Sequence, residues 1–231
     1  MKRNLSLKVS DIIREKILNF SLPPGFRISD VQLAQEMKIS RTPVREALNR
    51  LTAEGIVEAL PNRGFVVKVF GLKEIEDTYI LRERLETFAV ELTTKKFNRT
   101  KQKEFETLLD KSDRFIKKND IAGFNTSDED FHQLIALSSE NQPLGEVLKN
   151  LMGRIRVVRR YDHLRPGSIK DAYKSHREIL DLMIKKDVER AVKKMSDHVI
   201  ISMNLVLEFI SGNEHLFGPY EMPNLQEKYE L

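Results

Sequence analysis

Four side chains in this sequence could together bind a metal ion. Asp128 and His132 lie four residues apart, so a helix would place them on one face, and His176 and His198 lie on two later predicted helices. One carboxylate and three imidazoles suit zinc first, with nickel, manganese or iron as alternatives, and leave coordination positions open for water or a ligand. Taken one at a time, such histidines are usually surface or hydrogen-bonded core residues, so the spacing leaves both interpretations open.

A second group of side chains could bind DNA. The run Ser40–Leu48, SRTPVREAL, opens a predicted helix and places Arg41, Thr42 and Arg45 in its first turns. Arginine can fork two donors onto guanine or bind a phosphate, and the threonine hydroxyl and the helix amides can bind phosphate as well. The alternative is an ordinary solvated helix start.

The composition narrows the classes of protein that could carry these groups. The 231 residues are 40% hydrophobic and 32% charged, which excludes a fully disordered chain. Cysteine is absent, so a metal here must be held by nitrogen and oxygen. No run approaches the roughly 18 to 20 apolar residues of a membrane helix, and the N-terminus lacks the apolar region of a signal peptide. We therefore expect a soluble, cytoplasmic protein that has no contact with a membrane.

Positive charge is concentrated at the N-terminus. Residues 1–70 contain 12 Lys and Arg against 7 Asp and Glu, whereas the remainder contains 27 against 28. A short basic module joined to a larger neutral one favours a polyanion-binding head on a body with another role.

Hydrophobic periodicity predicts the elements that position the basic residues. Three helices precede two short strands, and the turn between the strands, Asn62-Arg63-Gly64, could bring a positive charge to the DNA backbone. This order of elements is typical of a winged helix-turn-helix. The expected elements are helices at 5–20, 29–38 and 40–55 and strands at 56–60 and 64–70.

Helical periodicity dominates the rest of the chain, which predicts a mainly α protein with an all-helical second domain. We expect a DNA-binding domain over residues 1–70, a helical domain over 71–212 and a tail over 213–231. The expected helices of the second domain span residues 73–98, 100–118, 121–140, 144–163, 168–186 and 188–211.

The first seventy residues resemble the GntR family of bacterial transcription regulators. The likeness is carried by Leu33-Ala34-Gln35, by the SRTPVREAL run and by Leu51–Gly55. The resemblance implies a winged helix-turn-helix that contacts bases or phosphates through three residues of the third helix and through the wing. The residues implied are Arg41, Thr42, Arg45, Arg63 and Gly64.

Residues 73–211 resemble the helical effector domain, often called the FCD domain, of the FadR branch of that family. The motifs are Leu81–Glu86, Asp128–His132 with Asn141 and Leu144, and His176–Ile179 with Asp187, Ala191, Met195 and His198. In metal-binding members of the branch, the Asp and three His at these positions ligate a divalent ion, frequently under an organic acid. The resemblance thus implies a metal site at Asp128, His132, His176 and His198.

A bound metal would attract an anion, and nearby cations would complete a carboxylate site. Arg82 is the leading candidate, and a salt bridge to a neighbouring Glu is its alternative role. The periodicity does not decide which arginine of a later cluster points inward. That cluster comprises Arg154, Arg156, Arg159 and Arg160.

We expect a homodimeric, ligand-responsive transcription regulator that binds a double-stranded operator and a small organic acid. The alternative from another class is a metal-dependent hydrolase or lyase with an attached DNA-binding module, because an open metal site could activate water. A purely structural helical scaffold is a third interpretation. No role in the metal site is assigned to His163 or His215.

Overall fold

The computed structural model describes residues 2–61, 63–159, 161, 163, 165 and 167–213. Asn62 of the predicted wing and all of the predicted tail except residue 213 lie outside the described residues. The chain divides into two compact units, residues 2–71 with 210–213 and residues 72–209. Helices make up most of both, so the mainly α fold with a small sheet is confirmed.

The N-terminal unit has the order expected of a winged helix-turn-helix, with one additional strand. Its elements are α1 (Lys2–Leu18), β1 (Arg27–Ile28), α2 (Asp30–Glu36), α3 (Arg41–Ala53), β2 (Val57–Leu60) and β3 (Gly64–Val67).

Helix α3 is fixed by its apolar face and by its two ends. Ala47, Leu48 and Leu51 are fully buried, and α3 packs against α1 and α2. Ser40 occupies the N-cap position as expected, but its side chain makes no capping hydrogen bond. Gly55 has a φ of 73° just beyond the helix, a left-handed conformation that favours glycine and ends the helix.

The sheet contains a strand that periodicity did not predict. β1 pairs antiparallel with β3 through Arg27↔Val66 and Ile28↔Phe65, and β2 pairs with the other edge of β3. Gly64 opens β3 with a φ of 80°, and a Cβ there would lie 3.1 Å from the carbonyl oxygen of Ile28. The wing turn therefore needs glycine at this position for backbone reasons alone.

The second unit is a bundle of helices. Its elements are α4 (Leu72–Lys95), α5 (Arg99–Lys117), α6 (Ile121–Ser138), α7 (Gln142–Arg159), α8 (Ser168–Ile184) and α9 (Val188–Gly212). Side-chain caps set two of the starts, because Asn98 accepts from the amide of Lys101 at 3.0 Å and Asp120 accepts from the amide of Gly123 at 2.8 Å.

All six helices of this unit match predicted helices and differ from them only at the ends. The largest difference is at the C-terminal end of α7, which stops at Arg159 rather than at residue 163. α6 packs against α4, α5, α7 and α8, so residues on its buried face reach the centre of the bundle. No helix among the described residues is long and apolar enough to cross a membrane.

Candidate metal centre and DNA interface

Three helices bring the four predicted ligands together at the centre of the bundle. Asp128 and His132 lie one turn apart on α6, His176 lies on α8 and His198 on α9, and one ligand atom from each lies within 4.8 Å of the others. All four residues are buried. We refer to these residues as the Asp–His cluster.

The imidazole nitrogens of the cluster face a common point. His198 Nε2 lies 3.3 Å from both His132 Nε2 and His176 Nε2. Asp128 Oδ1 lies 3.5 Å from His176 Nε2 and 3.9 Å from His132 Nε2. Metal–nitrogen bonds of about 2.0 to 2.1 Å in a tetrahedral site would place two ligand nitrogens about 3.3 Å apart. The spacing of the nitrogens therefore fits a single divalent ion.

Burial keeps the three imidazoles in the neutral form that binds metals. It lowers the pKa of His176 to about 3 and lowers the pKa values of His132 and His198 as well. Burial is the largest single effect on Asp128 and would raise its pKa, but the charges around it, that of Arg159 first, together hold that pKa well below its usual value. The cluster thus presents one carboxylate and three neutral nitrogens near pH 7.

A buried carboxylate, Glu86 on α4, orients one of the ligands. Its Oε2 is hydrogen-bonded to His132 Nδ1. When Nδ1 is the protonated nitrogen of a neutral imidazole, the lone pair lies on Nε2, the atom that faces the cluster. Glu86 Oε1 also accepts a hydrogen bond from Arg82 Nε at 2.6 Å, so the pair Arg82–Glu86 carries no net charge.

Two guanidinium groups flank the cluster, and each retains an unused donor. Arg82 is fully buried, and its Nη2 lies 3.3 Å from His132 Nε2; a metal at that nitrogen would replace this contact. Arg159 Nη2 donates to Asp128 Oδ2, which leaves Oδ1 for the cluster. Among the described residues, Arg82 Nη1 and Arg159 Nη1 are buried without a hydrogen-bond partner. Such donors call for an acceptor.

A groove of about 770 Å³ leads to the cluster between α6 and α7. Glu86, His132 and Arg159 line it, together with residues of the two helices such as Gln133 and Met152. This volume suits a small organic molecule.

The structure distinguishes the members of the predicted arginine cluster. Arg159 points inward to Asp128, whereas Arg156 forms an ion pair with Glu129, Nε to Oε2, at 2.9 Å. The side chains of Arg154 and Arg160 lie outside the described residues. Arg82 forms the salt bridge that was its alternative predicted role, here with Glu86, and its Nη1 has no hydrogen-bond partner among the described residues.

Two histidines, His163 and His215, were assigned no role in the metal site, and the structure describes only the first of them. His163 is buried and its Nδ1 is hydrogen-bonded to Asn125 Oδ1; it is not one of the four clustered residues. His215 lies outside the described residues.

Three of the predicted DNA-binding residues form an exposed stripe on α3. Arg41, Thr42 and Arg45 are exposed there, and so is Arg63 in the wing turn. A groove of about 640 Å³ runs between α3 and the wing, and its lining includes Arg27, Arg41, Arg45, Arg63 and Gly64. The structure therefore brings the helix and wing residues to one basic surface.

Sequence reasoning missed several residues of both sites. Arg27 lines the basic groove between α3 and the wing because the unpredicted strand β1 places it there. Asn49, two turns after Thr42 on α3, also lines it, and the spacing along the exposed face of α3 could have identified it. In the helical unit, the four-residue spacing of Arg82 and Glu86 was a signal for their ion pair.

An ion pair joins α3 to α2, the helix before it. Asp30, the first residue of α2, accepts a hydrogen bond from Arg41 Nε at 2.8 Å. Asp30 is 6% exposed, whereas the side chain of Arg41 is 57% exposed.

Comparisons with known proteins match both units. The sequence model described as "FCD domain" matches residues 77–200, and that described as "Bacterial regulatory proteins, gntR family" matches residues 5–67. The Nta operon transcriptional regulator of Aminobacter aminovorans is 31% identical over 201 residues, covering 84% of this chain and 91% of that protein. The HTH-type transcriptional repressor RspR of Escherichia coli K12 is 23% identical over 190 residues, covering 81% and 82%.

Solved structures show the same fold. E. coli McbR/YncC aligns with a TM-score of 0.74 at 23% identity, covering 88% of this chain and 97% of that one. The metal-free FCD domain of TM0439 aligns with a TM-score of 0.53 at 23% identity, covering 62% of this chain and 98% of that one.

Proposed function

We propose, from the premise that this chain belongs to the GntR family of bacterial regulatory proteins and carries an FCD domain, that it responds to a small carboxylate bound at a divalent metal. The family match confirms the resemblance found in the sequence, and with it the function of a DNA-binding transcription regulator. The matched domains and relatives are regulators and not enzymes, so the hydrolase or lyase alternative is set aside.

One observation carries the metal proposal: four ligand atoms from three helices lie within 4.8 Å of one another in the buried core. Clustering three imidazoles without an ion would be unfavourable, because the facing Nε2 lone pairs would share a water-poor space without donors for all of them. Zinc suits the nitrogen-rich ligands and the 3.3 Å spacings best, and nickel, manganese and iron are the alternatives. When bound, the ion supplies positive charge for an anion.

The groove between α6 and α7 is the proposed effector site. Arg82 and Arg159 each carry a buried Nη1 without a partner among the described residues, and a carboxylate oxygen is the acceptor that suits a guanidinium best. Arg159 also lines the groove. Both arginines are therefore proposed to hold a small organic acid against the metal.

The DNA interface is proposed to be the basic surface of α3 and the wing. Arg41, Thr42 and Arg45 would enter the major groove from the start of α3, while Arg63 and the backbone at Gly64 would contact the DNA backbone beside it. Two observations support this assignment: the four side chains are exposed, and Arg41, Arg45, Arg63 and Gly64 line one groove. Since duplex DNA is the partner, the cytoplasm is the proposed location.

A homodimer is proposed as the form that binds DNA. Two recognition helices about one helical turn apart would read a roughly palindromic operator. An apolar stripe on α4 supports self-association. Its residues lie on one side of the helix and are exposed to solvent: Ile80 is 51%, Leu81 48% and Phe88 44% exposed. Exposed apolar patches of this kind often mark protein–protein interfaces.

The test of the effector proposal is a DNA-binding titration. Full-length protein loaded with zinc is bound to a duplex selected by the protein from a random pool, and acetate, lactate, malonate and citrate are added in turn. At least one acid should change the DNA affinity by about 5-fold or more, as expected for a coupling of about 1 kcal/mol. The change should vanish after the metal is removed.

Paired variants identify the carboxylate contact. Arg159→Gln should lose the response to the acid. Arg190→Gln, which alters an exposed arginine of α9 that is paired with Asp187 and does not line the groove, should keep it. Metal content is measured in both, since Arg159 also contacts Asp128. A wild-type protein that holds zinc and responds to none of the acids would contradict the effector proposal.

A further inference from the structure

We propose that Asp30 is a positioning residue that holds Arg41 for reading DNA sequence. Asp30 carries its carboxylate at the start of α2, where it accepts the Nε hydrogen of Arg41 at 2.8 Å. The inference rests on the proposed contact of Arg41 with DNA and assigns to Asp30 a role in selectivity between sequences, not in general affinity.

The geometry leaves the outer edge of the guanidinium available. A guanidinium donates from Nε on its inner side and from two terminal nitrogens on its outer side. Because Asp30 is bonded to Nε, the two terminal nitrogens of Arg41 remain for a forked contact to guanine O6 and N7. An unrestrained arginine would have to give up rotamer freedom on binding, and a restrained one has already lost part of it.

The carboxylate itself is held firmly. Asp30 is 6% exposed, and it lies in the first turn of α2, where the helix dipole favours a negative charge. The preceding residue, Ser29, caps the same helix by accepting from the amide of Gln32. The ion pair therefore joins a buried carboxylate to a more exposed side chain, that of Arg41, which is 57% exposed.

The sign of the charge argues against a role in general DNA affinity. Among the residues that the structure describes, the groove beside α3 is lined by four arginines, Arg27, Arg41, Arg45 and Arg63, and by a single carboxylate, Asp30. A groove that served only to attract phosphates would bind them more strongly without this negative charge. Asp30 therefore lowers attraction to any DNA while it restrains one arginine.

A tie between α2 and α3 is the competing explanation, and the structure limits it. The two helices already pack through buried apolar residues that include Leu33, Ala34 and Val44. An ion pair with one exposed partner adds little to stability in general. Loss of the pair should therefore leave the unit folded.

The test compares two duplexes of equal length, one selected from a random pool by the wild-type full-length protein and one with the same bases shuffled. In Asp30→Asn, the dissociation constant for the selected duplex should rise about 5-fold, while that for the shuffled duplex should stay the same or fall up to about 2-fold. Selectivity should thus drop about 5- to 10-fold. Thermal unfolding of each variant monitors the fold.

A double-mutant cycle assigns the effect to Arg41. Arg41→Ala should weaken binding to the selected duplex, and adding Asp30→Asn to it should cause no further loss of selectivity. Asp30→Glu keeps the charge but displaces the oxygen atoms by one methylene, so it should lower selectivity without changing binding to the shuffled duplex. If Asp30→Asn is unstable, Asp30→Glu tests the same prediction.

Three results would overturn the proposal. Equal weakening of both duplexes would indicate a structural tie, equal strengthening would indicate a purely electrostatic role, and a full loss of selectivity on adding Asp30→Asn to Arg41→Ala would show that Asp30 acts through another group. If Arg41→Ala leaves the selected duplex bound as in wild type, the proposed contact of Arg41 itself fails, which is a separate outcome from a failure of Asp30 alone.

Discussion

Removal of the proposed metal ion should lower the thermal stability of the helical unit by an amount that depends on the ion concentration relative to its dissociation constant and on the size of the unit. The ligands are already placed, with Nε2 of His198 3.3 Å from its two neighbours, and burial keeps their pKa values low, so protons compete little at pH 7. An ion present at 100 times its dissociation constant stabilises the folded state by about 2.7 kcal/mol. For the unit of residues 72–209, this corresponds to a rise in Tm of about 10 °C.

The perturbation is His176→Gln. It removes one ligand but keeps most of the side-chain volume beside Phe131, whose ring stacks on His176 with the centroids 4.0 Å apart. A 100-fold weaker affinity would bring the same ion concentration down to its dissociation constant, where the stabilisation is about 0.4 kcal/mol. The rise in Tm caused by the ion should therefore fall from about 10 °C to about 2 °C or less.

The assay is differential scanning calorimetry of chelator-treated protein, with and without added zinc, nickel or manganese. The measured quantity is the change in Tm caused by the ion, because His176→Gln also alters packing and shifts the baseline. His163→Gln is the matched control, since His163 is buried and hydrogen-bonded to Asn125 but lies outside the Asp–His cluster. An ion-induced shift of equal size in wild type and His176→Gln, or none in wild type, would refute the site.

Three further predictions address the DNA interface, the cluster and the dimer. Arg45→Ala should weaken DNA binding about 10-fold. If the contact is to a phosphate, the slope of the logarithm of the binding constant against the logarithm of the salt concentration should also become less steep by about 1. Fluorescence anisotropy at several salt concentrations measures both, and unchanged values would exclude the contact. The metal-free protein should lose up to about 2.5 kcal/mol of unfolding free energy between pH 8 and pH 6, because burial lowers the pKa values of the three cluster histidines. The unfolded chain then binds protons below about pH 6.5 that the folded chain does not; urea unfolding that is flat over this range would contradict the prediction. Phe88→Arg should give a monomer in analytical ultracentrifugation. Ile121→Arg, which changes a similarly exposed apolar residue of α6, should remain a dimer. A dimeric Phe88→Arg variant would place the interface elsewhere.

The sequence predicted the helices well because they depend on local pattern, and the same local pattern nominates part of the proposed metal site. Asp128 and His132 share a helix face by spacing alone, and the exposed start of α3 follows from the apolar residues that it must bury. Whether His176 and His198 reach the same point is not a local property, since it depends on how α8 and α9 pack in the bundle. Their residue types on predicted helices made these two residues candidates, and the family resemblance favoured the metal site over four unrelated polar residues.

The short strand β1 shows where periodicity lacks information. Arg27 and Ile28 form a strand of two residues, too short for any alternation to be recognised. The strand exists because Phe65 of β3 offers a free edge, and pairing Ile28 with it satisfies backbone groups while Ile28 is buried. This pairing places Arg27 at the groove between α3 and the wing. Its position could therefore be found only from the folded chain.

The arginines of α7 show the same limit for the effector site. Arg156 and Arg159 are three residues apart, a spacing that puts them on neighbouring parts of the helix surface, yet one is paired with Glu129 at the margin of the groove and the other with the buried Asp128. The two arginines differ in burial because only one of them, Arg159, is paired with a buried carboxylate. A guanidinium is stable in the core only beside a carboxylate, and Asp128 and Glu86 each provide one, to Arg159 and Arg82 respectively. The four charges therefore cancel in pairs, so a divalent ion at the neutral histidines would leave the core positively charged, and an acidic effector would reduce that charge.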